Sequence, residues 1–305
     1  MIKVERPALP EAIKKIMEKE RLDAEDYHKP PFDKTKPSFP FKAYKNKKMG
    51  ELLQEVFHSK CAYCESSMAA VMPQDVEHYR PKQAVLINGA LDKPGYYWLA
   101  SDWPNLLSSC IYCNRPNRHK IGSKAAAKAL GKGNEFPLEV EVNRARNHTT
   151  DIALEKPLLL DPCVDEPSEH LTFFCNGWIE PRNDNEGQPS TRGSKTIDIL
   201  ALQRPGLKKE RHARATLILG DLVMYNELEE EVAKGGGSRA KLALAMVRIN
   251  YYLQQDQPYL GMARQLIEDR KPGLMEMLPK ILSSGAPEIV KAKEMLAAAM
   301  QSDGR

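Results

Sequence analysis

The chain has 305 residues, 42% hydrophobic and 28% charged, which is ordinary for a folded protein and excludes a largely disordered one. No apolar run is long enough to span a bilayer, and the first residues, MIKVERPALPEAIKK, lack the apolar stretch of an export signal, so a cytoplasmic location is expected. A net charge of +4 and a pI near 8.6 suit an anionic partner but are too mild to require one.

Residues 11–27 read as a charged amphipathic helix with Ile13, Ile16 and Met17 on one face, broken by the Pro-containing stretch 30–40. Between Lys34 and Lys48 stand six lysines and no acid, interleaved with Phe39, Phe41 and Tyr44. This connector suits either a nucleic-acid backbone or aromatics docked on the core. A short helix through Leu52, Leu53, Val56 and Phe57 closes a first region, 1–58. The second, 59–138, is dense in Pro, Gly, Cys, His and Asn, as in a small unit held together by metal. A third, 139–192, carries two strand-like runs, 154–162 and 170–181, and a polar loop at 187–193. The fourth, 193–305, is helical: Ala215, Ile218, Leu219, Leu222 and Val223 keep the rhythm of a buried stripe, and Gly235 to Ser238 ends that helix. Further helices are predicted over 242–253, 259–267 and 289–300. The fold class expected is α+β, mainly helical.

Four of the six cysteines form two C-x-x-C pairs, Cys61/Cys64 and Cys110/Cys113, in a chain without an export signal. Two such knuckles complete the tetrahedral thiolate shell that structural zinc prefers. A redox C-x-x-C would need a thioredoxin-like βαβ context that neither pair has. Cys163 and Cys175 stand alone and are expected to be small buried residues without a role.

Between the knuckles lies Asp75-Val76-Glu77-His78-Tyr79-Arg80-Pro81-Lys82, then Trp103-Pro104-Asn105, and Asn114 follows the last cysteine. This order, CAYCE, EHYRPK, NLLSSCIYCN, resembles the HNH nucleases, which have a ββα-metal core. A phosphodiester hydrolase needs a base to deprotonate the attacking water, and an imidazole titrating near neutrality suits that task, so His78 is the candidate. Neighbours on a strand face opposite ways, so Glu77 and His78 can share one site only where the strand twists or ends, as Pro81 allows. The resemblance implies that Glu77 and Asn114 ligate a catalytic Mg²⁺ or Mn²⁺, and that Asn105, the other catalytic residue, orders the loop orienting His78. His119 competes with Asn114 as the last ligand. Helix geometry favours Asn114, since His119 would lie about 140° further around a helix beginning near Asn114. Taken singly, His78 could be structural and both asparagines could be helix caps.

From Asn114 to Lys132 there are six basic residues and no acid: Arg115, Arg118, Lys120, Lys124, Lys128 and Lys132. With Arg80, Lys82 and His119 these are the expected nucleic-acid contacts, and Lys124, Lys128 and Lys132 would form one stripe on a helix. A solvated helix face is the alternative.

YYWLASDWPNLLSSC, the FPL at Phe136–Leu138, 157–173 and 196–211 further resemble one HNH subfamily, the PtuB nuclease subunits of Septu anti-phage systems and of related retron-associated systems. That resemblance implies an ABC/SMC-like ATPase partner of the PtuA type and a nucleic-acid substrate, DNA ahead of RNA. The third motif departs from the family's short Asn-x-x-Lys, reading CNRPNRHK with an insertion before FPL. A non-catalytic zinc-knuckle module that binds nucleic acid or a protein is the rival reading.

Overall fold

The computed structural model describes residues 1–302 apart from 30, 70–73 and 123–125, with side chains through 298. The protein is α+β and divides into two compact units, one formed by 1–172 with 179–207, the other by 173–178 with 208–305.

The first unit opens with helix α1, Glu11–Tyr27, whose buried seam runs from Met17 to Ala24, one heptad apart. Ile16, expected on that face, is exposed. The basic connector is not an open aromatic platform, because Phe41 is buried and stacks on Phe39, which meets Tyr27. Helix α2, Lys47–Val56, is capped by Asn46, whose Oδ1 accepts from the Lys48 amide.

Strands β1 (Asp75–His78), β2 (Val85–Ile87), β3 (Ala90–Asp92) and β4 (Leu106–Ser109) follow, then a single helical turn, α3 (Ile111–Asn114). β1 pairs antiparallel with β4, Glu77 opposite Leu107 and His78 opposite Leu106, while β2 and β3 form a hairpin in the connection. The order is strand, long connection, antiparallel strand, helix.

The helix expected beyond Asn114 is replaced by a hairpin of β5 (Asn117–His119) and β6 (Lys128–Leu130). Pro116 explains the difference: a residue before proline is driven out of the helical region, and Arg115 is extended at φ −99°, ψ 139°. The helix therefore stops before the proline instead of containing it, and the basic stripe does not form. Lys128 lies on β6, Lys132 is buried, and Lys124 falls outside the described residues.

The apolar run 154–162 is not a strand either. Pro157 and Pro162 interrupt its hydrogen bonding; Leu159 and Leu160 are buried, and the Leu160 amide bonds to the Thr196 hydroxyl. The second run does form a hairpin, β7 (Leu171–Phe173) with β8 (Ile179–Pro181). The polar loop is shorter than expected, since Ser190 caps helix α4, Thr191–Ile199.

The second unit is built on helices α5 (Pro205–Ala233, whose first turn belongs to the first unit), α6 (Arg239–Tyr252), α7 (Leu260–Arg270), α8 (Leu274–Leu282) and α9 (Pro287–Ser302). Its core takes Ala215, Ile218 and Leu222 from α5, together with Tyr225; Val223 is exposed. The glycine run at 235–237 separates α5 from α6, which Ser238 caps. Helix α8 carries Pro279 in its interior, which hid it from periodicity.

Candidate functional site

The cysteine centre is assembled from two local turns. In the first, the Glu65 amide donates to Cys61 O at 2.9 Å with Glu65 in the left-handed region, and the Ala62 amide ties the knuckle to β4 through Ser108 O. In the second, α3 itself supplies the turn, the Cys113 and Asn114 amides both donating to Cys110 O. All four Sγ atoms are buried and lie within 4.8 Å of one another. Tetrahedral zinc with bonds of about 2.3 Å requires sulfurs about 3.8 Å apart. Cys64 and Cys110 meet at 3.8 Å, so the residues present fit a structural zinc.

Arg204, 7% exposed, closes the centre from the segment between α4 and α5, which sequence reading missed. Its Nη2 lies 3.4 Å from Cys64 Sγ and 3.8 Å from Cys110 Sγ, and its Nη1 lies 3.6 Å from Cys113 Sγ. With zinc bound, four thiolates would carry excess negative charge, and this guanidinium would be placed to offset it. Of the remaining cysteines, Cys163 is half-buried and Cys175 is exposed, against the burial expected for both.

His78 ends β1 with 5% exposure. Its Nε2 is 3.0 Å from Ala100 O, which can only accept, so Nε2 carries the proton and Nδ1 holds the free lone pair. Lys82 Nζ stands 3.4 Å from Nδ1, and the Tyr44 ring meets the imidazole edge-on. Burial, reinforced by the Lys82 charge, holds the His78 pKa well below its ordinary value, so the ring is neutral at neutral pH. Burial likewise pulls Lys82 down to about 8.

Asn105 continues the β1–β4 ladder with its side chain. Its Oδ1 accepts from the Arg80 amide at 2.7 Å, while Nδ2 donates to Arg80 O at 3.0 Å and Leu99 O at 2.9 Å. The amide thus replaces a peptide group where the ladder would end, and fixes the turn directly after His78.

Glu77 is 3% exposed and precedes His78 on β1, where successive side chains alternate between faces. Its Oε1 lies 2.6 Å from Lys132 Nζ, and the same ammonium donates to His78 O at 2.7 Å. Burial raises the Glu77 pKa, and the lysine opposes the shift. Asp75, on the same strand face as Glu77, accepts from Asn114 Nδ2 at 3.0 Å and from Arg115 Nε and Nη2. Asn114 thereby keeps its Oδ1 free of Asp75. Glu77 Oε1, buried and without a well-formed hydrogen bond, has the Lys132 ammonium beside it as its counter-charge. With Lys132 in place, the expected Mg²⁺ or Mn²⁺ shell of Glu77 and Asn114 does not fit.

The route by which Lys132 arrives explains the unusual third motif. The β5–β6 hairpin leaves at Pro116 and returns at Gly131 against the same backbone: the Lys132 amide donates to Cys113 O at 2.8 Å and the Gly133 amide to Asn114 O at 2.7 Å. Without the excursion 116–130 the chain would read Asn114-Arg115-Gly131-Lys132, the short Asn-x-x-Lys. The signal was the Gly-Lys-Gly-Asn one residue before FPL.

Of the other expected contacts, Arg118, Lys120 and Lys128 are exposed on the hairpin and its flank. Arg80 is paired with Glu155 at 2.9 Å and Arg115 with Asp75 at 2.6 Å. His119 sits on β5, its ring edge-on to Tyr112, so the helical spacing that set it against Asn114 does not apply.

Fold and site together define an α+β protein in which a buried four-cysteine cluster, able to hold a metal ion, frames a β1–β4–α3 unit. No family model matches the chain. It is 35% identical over 302 residues to Septu protein PtuB of Bacillus mycoides (strain KBAB4), covering 92% of this chain and 94% of that protein, and so it belongs to the PtuB family. It is also 27% identical over 182 residues to Septu protein PtuA of the same strain, a match covering 59% of this chain and 22% of that protein.

Proposed function

We propose that this chain is a nucleic-acid phosphodiesterase, the HNH-type endonuclease subunit of a Septu anti-phage system acting with a PtuA-type, ABC/SMC-like ATPase. The observation that carries the reading is His78: an imidazole at a strand end, anchored through Nε2–H to Ala100 O, whose Nδ1 can accept a proton from an attacking water once Lys82 moves off it, although burial holds its pKa below the near-neutral range expected of such a base. Asn105 fixes the turn beyond it, and Lys82 must release Nδ1 before the base can act. Arg118, Lys120 and Lys128 supply phosphate contacts. The Mg²⁺ or Mn²⁺ that the resemblance implies enters none of these steps.

A non-catalytic zinc-knuckle module remains the second reading, favoured by the burial of Glu77, His78 and Asn105, each at 5% exposure or less. Purified protein, with and without the ATPase, is to be incubated with DNA and with RNA plus Mg²⁺ or Mn²⁺. Cleavage abolished by His78→Ala with zinc retained supports the nuclease. A His78→Ala protein that cuts like the parent, or a parent that cuts nothing under any of these conditions, favours the module.

A further inference from the structure

We propose that Lys132 is an internal cation that locks the Glu77 carboxylate, so that a divalent ion binds there only when this ammonium has left. The inference rests on the nuclease reading for the ion's purpose, but the lock is argued from the geometry alone.

A buried carboxylate needs a counter-charge, and Glu77 has one at 2.6 Å. A Mg²⁺ or Mn²⁺ ion bonds carboxylate oxygen at about 2.1 Å, so on the same Oε1 it would lie against the ammonium. Two cations crowded on that oxygen repel each other strongly in a site closed to water, with Glu77 and Lys132 at 3% and 1% exposure.

Lys132 is delivered there by a built loop. Gly131 adopts φ +130°, and a Cβ on it would stand 2.2 Å from Arg115 O; Gly133 adopts φ +49° beside Pro116. With the backbone bonds to Cys113 and Asn114, these glycines press the 131–133 segment against α3 and aim one long side chain inward. The lysine spans the carboxylate and the His78 carbonyl, so its departure alters both residues of the Glu-His pair at once.

The test is Mn²⁺ binding by the zinc-loaded full chain, read from the electron paramagnetic resonance signal of free Mn²⁺, for the parent, Lys132→Met, Lys132→Gln and Lys132→Met with Glu77→Gln. Melting temperatures are followed with and without Mn²⁺. Either lysine variant should bind Mn²⁺ roughly tenfold or more tightly than the parent, because the ion replaces the nearest counter-charge of a buried carboxylate that otherwise keeps only the weaker pull of Lys82. Its melting temperature should rise with Mn²⁺ more than the parent's, and both effects should vanish in the double variant. Unchanged or weaker binding overturns the lock, as does tighter binding that survives Glu77→Gln. Because cleavage is scored separately, tighter Mn²⁺ binding with no cleavage keeps the lock and removes the nuclease. Cleavage with unchanged Mn²⁺ affinity does the reverse.

Discussion

The guanidinium of Arg204 lies 3.4 Å from the sulfur of Cys64, 140 residues earlier in the chain. The four-cysteine cluster is therefore not confined to the span from Cys61 to Cys113, since the segment leaving α4 packs on its sulfurs. Arg204 also donates to Leu200 O and Ala201 O, so it holds its own turn while facing the thiolates. Arg204→Gln should lower zinc affinity roughly 10- to 100-fold in competition with a chelator, the usual effect of removing an outer-shell partner. Arg204→Lys should recover part of it. Equal affinity in the Gln variant would leave Arg204 a purely local prop.

Zinc itself should be structural, because four buried thiolates leave no open position. Elemental analysis should give about one ion per chain. Cys110→Ser, or stripping the ion with a strong chelator, should collapse the cooperative melt of the first unit. A chain that melts normally without zinc would contradict this.

Asn105→Ala should destabilise the protein by about 2–4 kcal/mol, since three backbone groups, one buried and two part-buried, lose their partner. Asn105→Asp should be worse, because it turns a second acceptor toward two carbonyl oxygens that need a donor. Urea denaturation of the two variants checks the order. A milder Asp variant would show that Nδ2 contributes little.

The cysteine centre was legible because its chemistry is local: two C-x-x-C turns must converge on one ion, whatever else the chain does. The β1–β4 pair was only half legible, Glu77 and His78 being readable as a strand end but not their partner strand. Sequence reading failed where one residue overrode a pattern. Lys124, Lys128 and Lys132 have helical spacing, yet Pro116 makes Arg115 extended and the chain turns into a hairpin. Lys132 was read as a nucleic-acid contact because its carboxylate partner is 55 residues away, and no local rule pairs them. Arg204 was invisible for the same reason.

The hairpin's remaining cations should act as phosphate contacts. Replacing Arg118, Lys120 and Lys128 with Gln should weaken binding to all nucleic-acid sequences alike and reduce the salt slope by up to roughly 0.9 per lost contact on duplex DNA. Adding the exposed Lys34 as a control substitution should change neither. A salt slope untouched by the triple substitution would return the hairpin to a solvated surface.

Gly131 and Gly133 allow the loop hypothesis to be separated from general loss of stability. At Gly131, φ +130° is closed to side chains and a Cβ would stand 2.2 Å from Arg115 O, so Gly131→Ala must move backbone. At Gly133, φ +49° is the left-handed region that other residues visit at modest cost, and the nearest atom to a Cβ is Pro116 Cγ at 3.0 Å. Gly131→Ala should therefore cost about 3 kcal/mol or more in urea denaturation, and Gly133→Ala about 1–2. The displaced loop should also withdraw Lys132 from Glu77, so that combining Gly131→Ala with Lys132→Met destabilises by clearly less than the sum of the two. Additive losses would show that the glycine serves the backbone alone and does not hold the lysine in place.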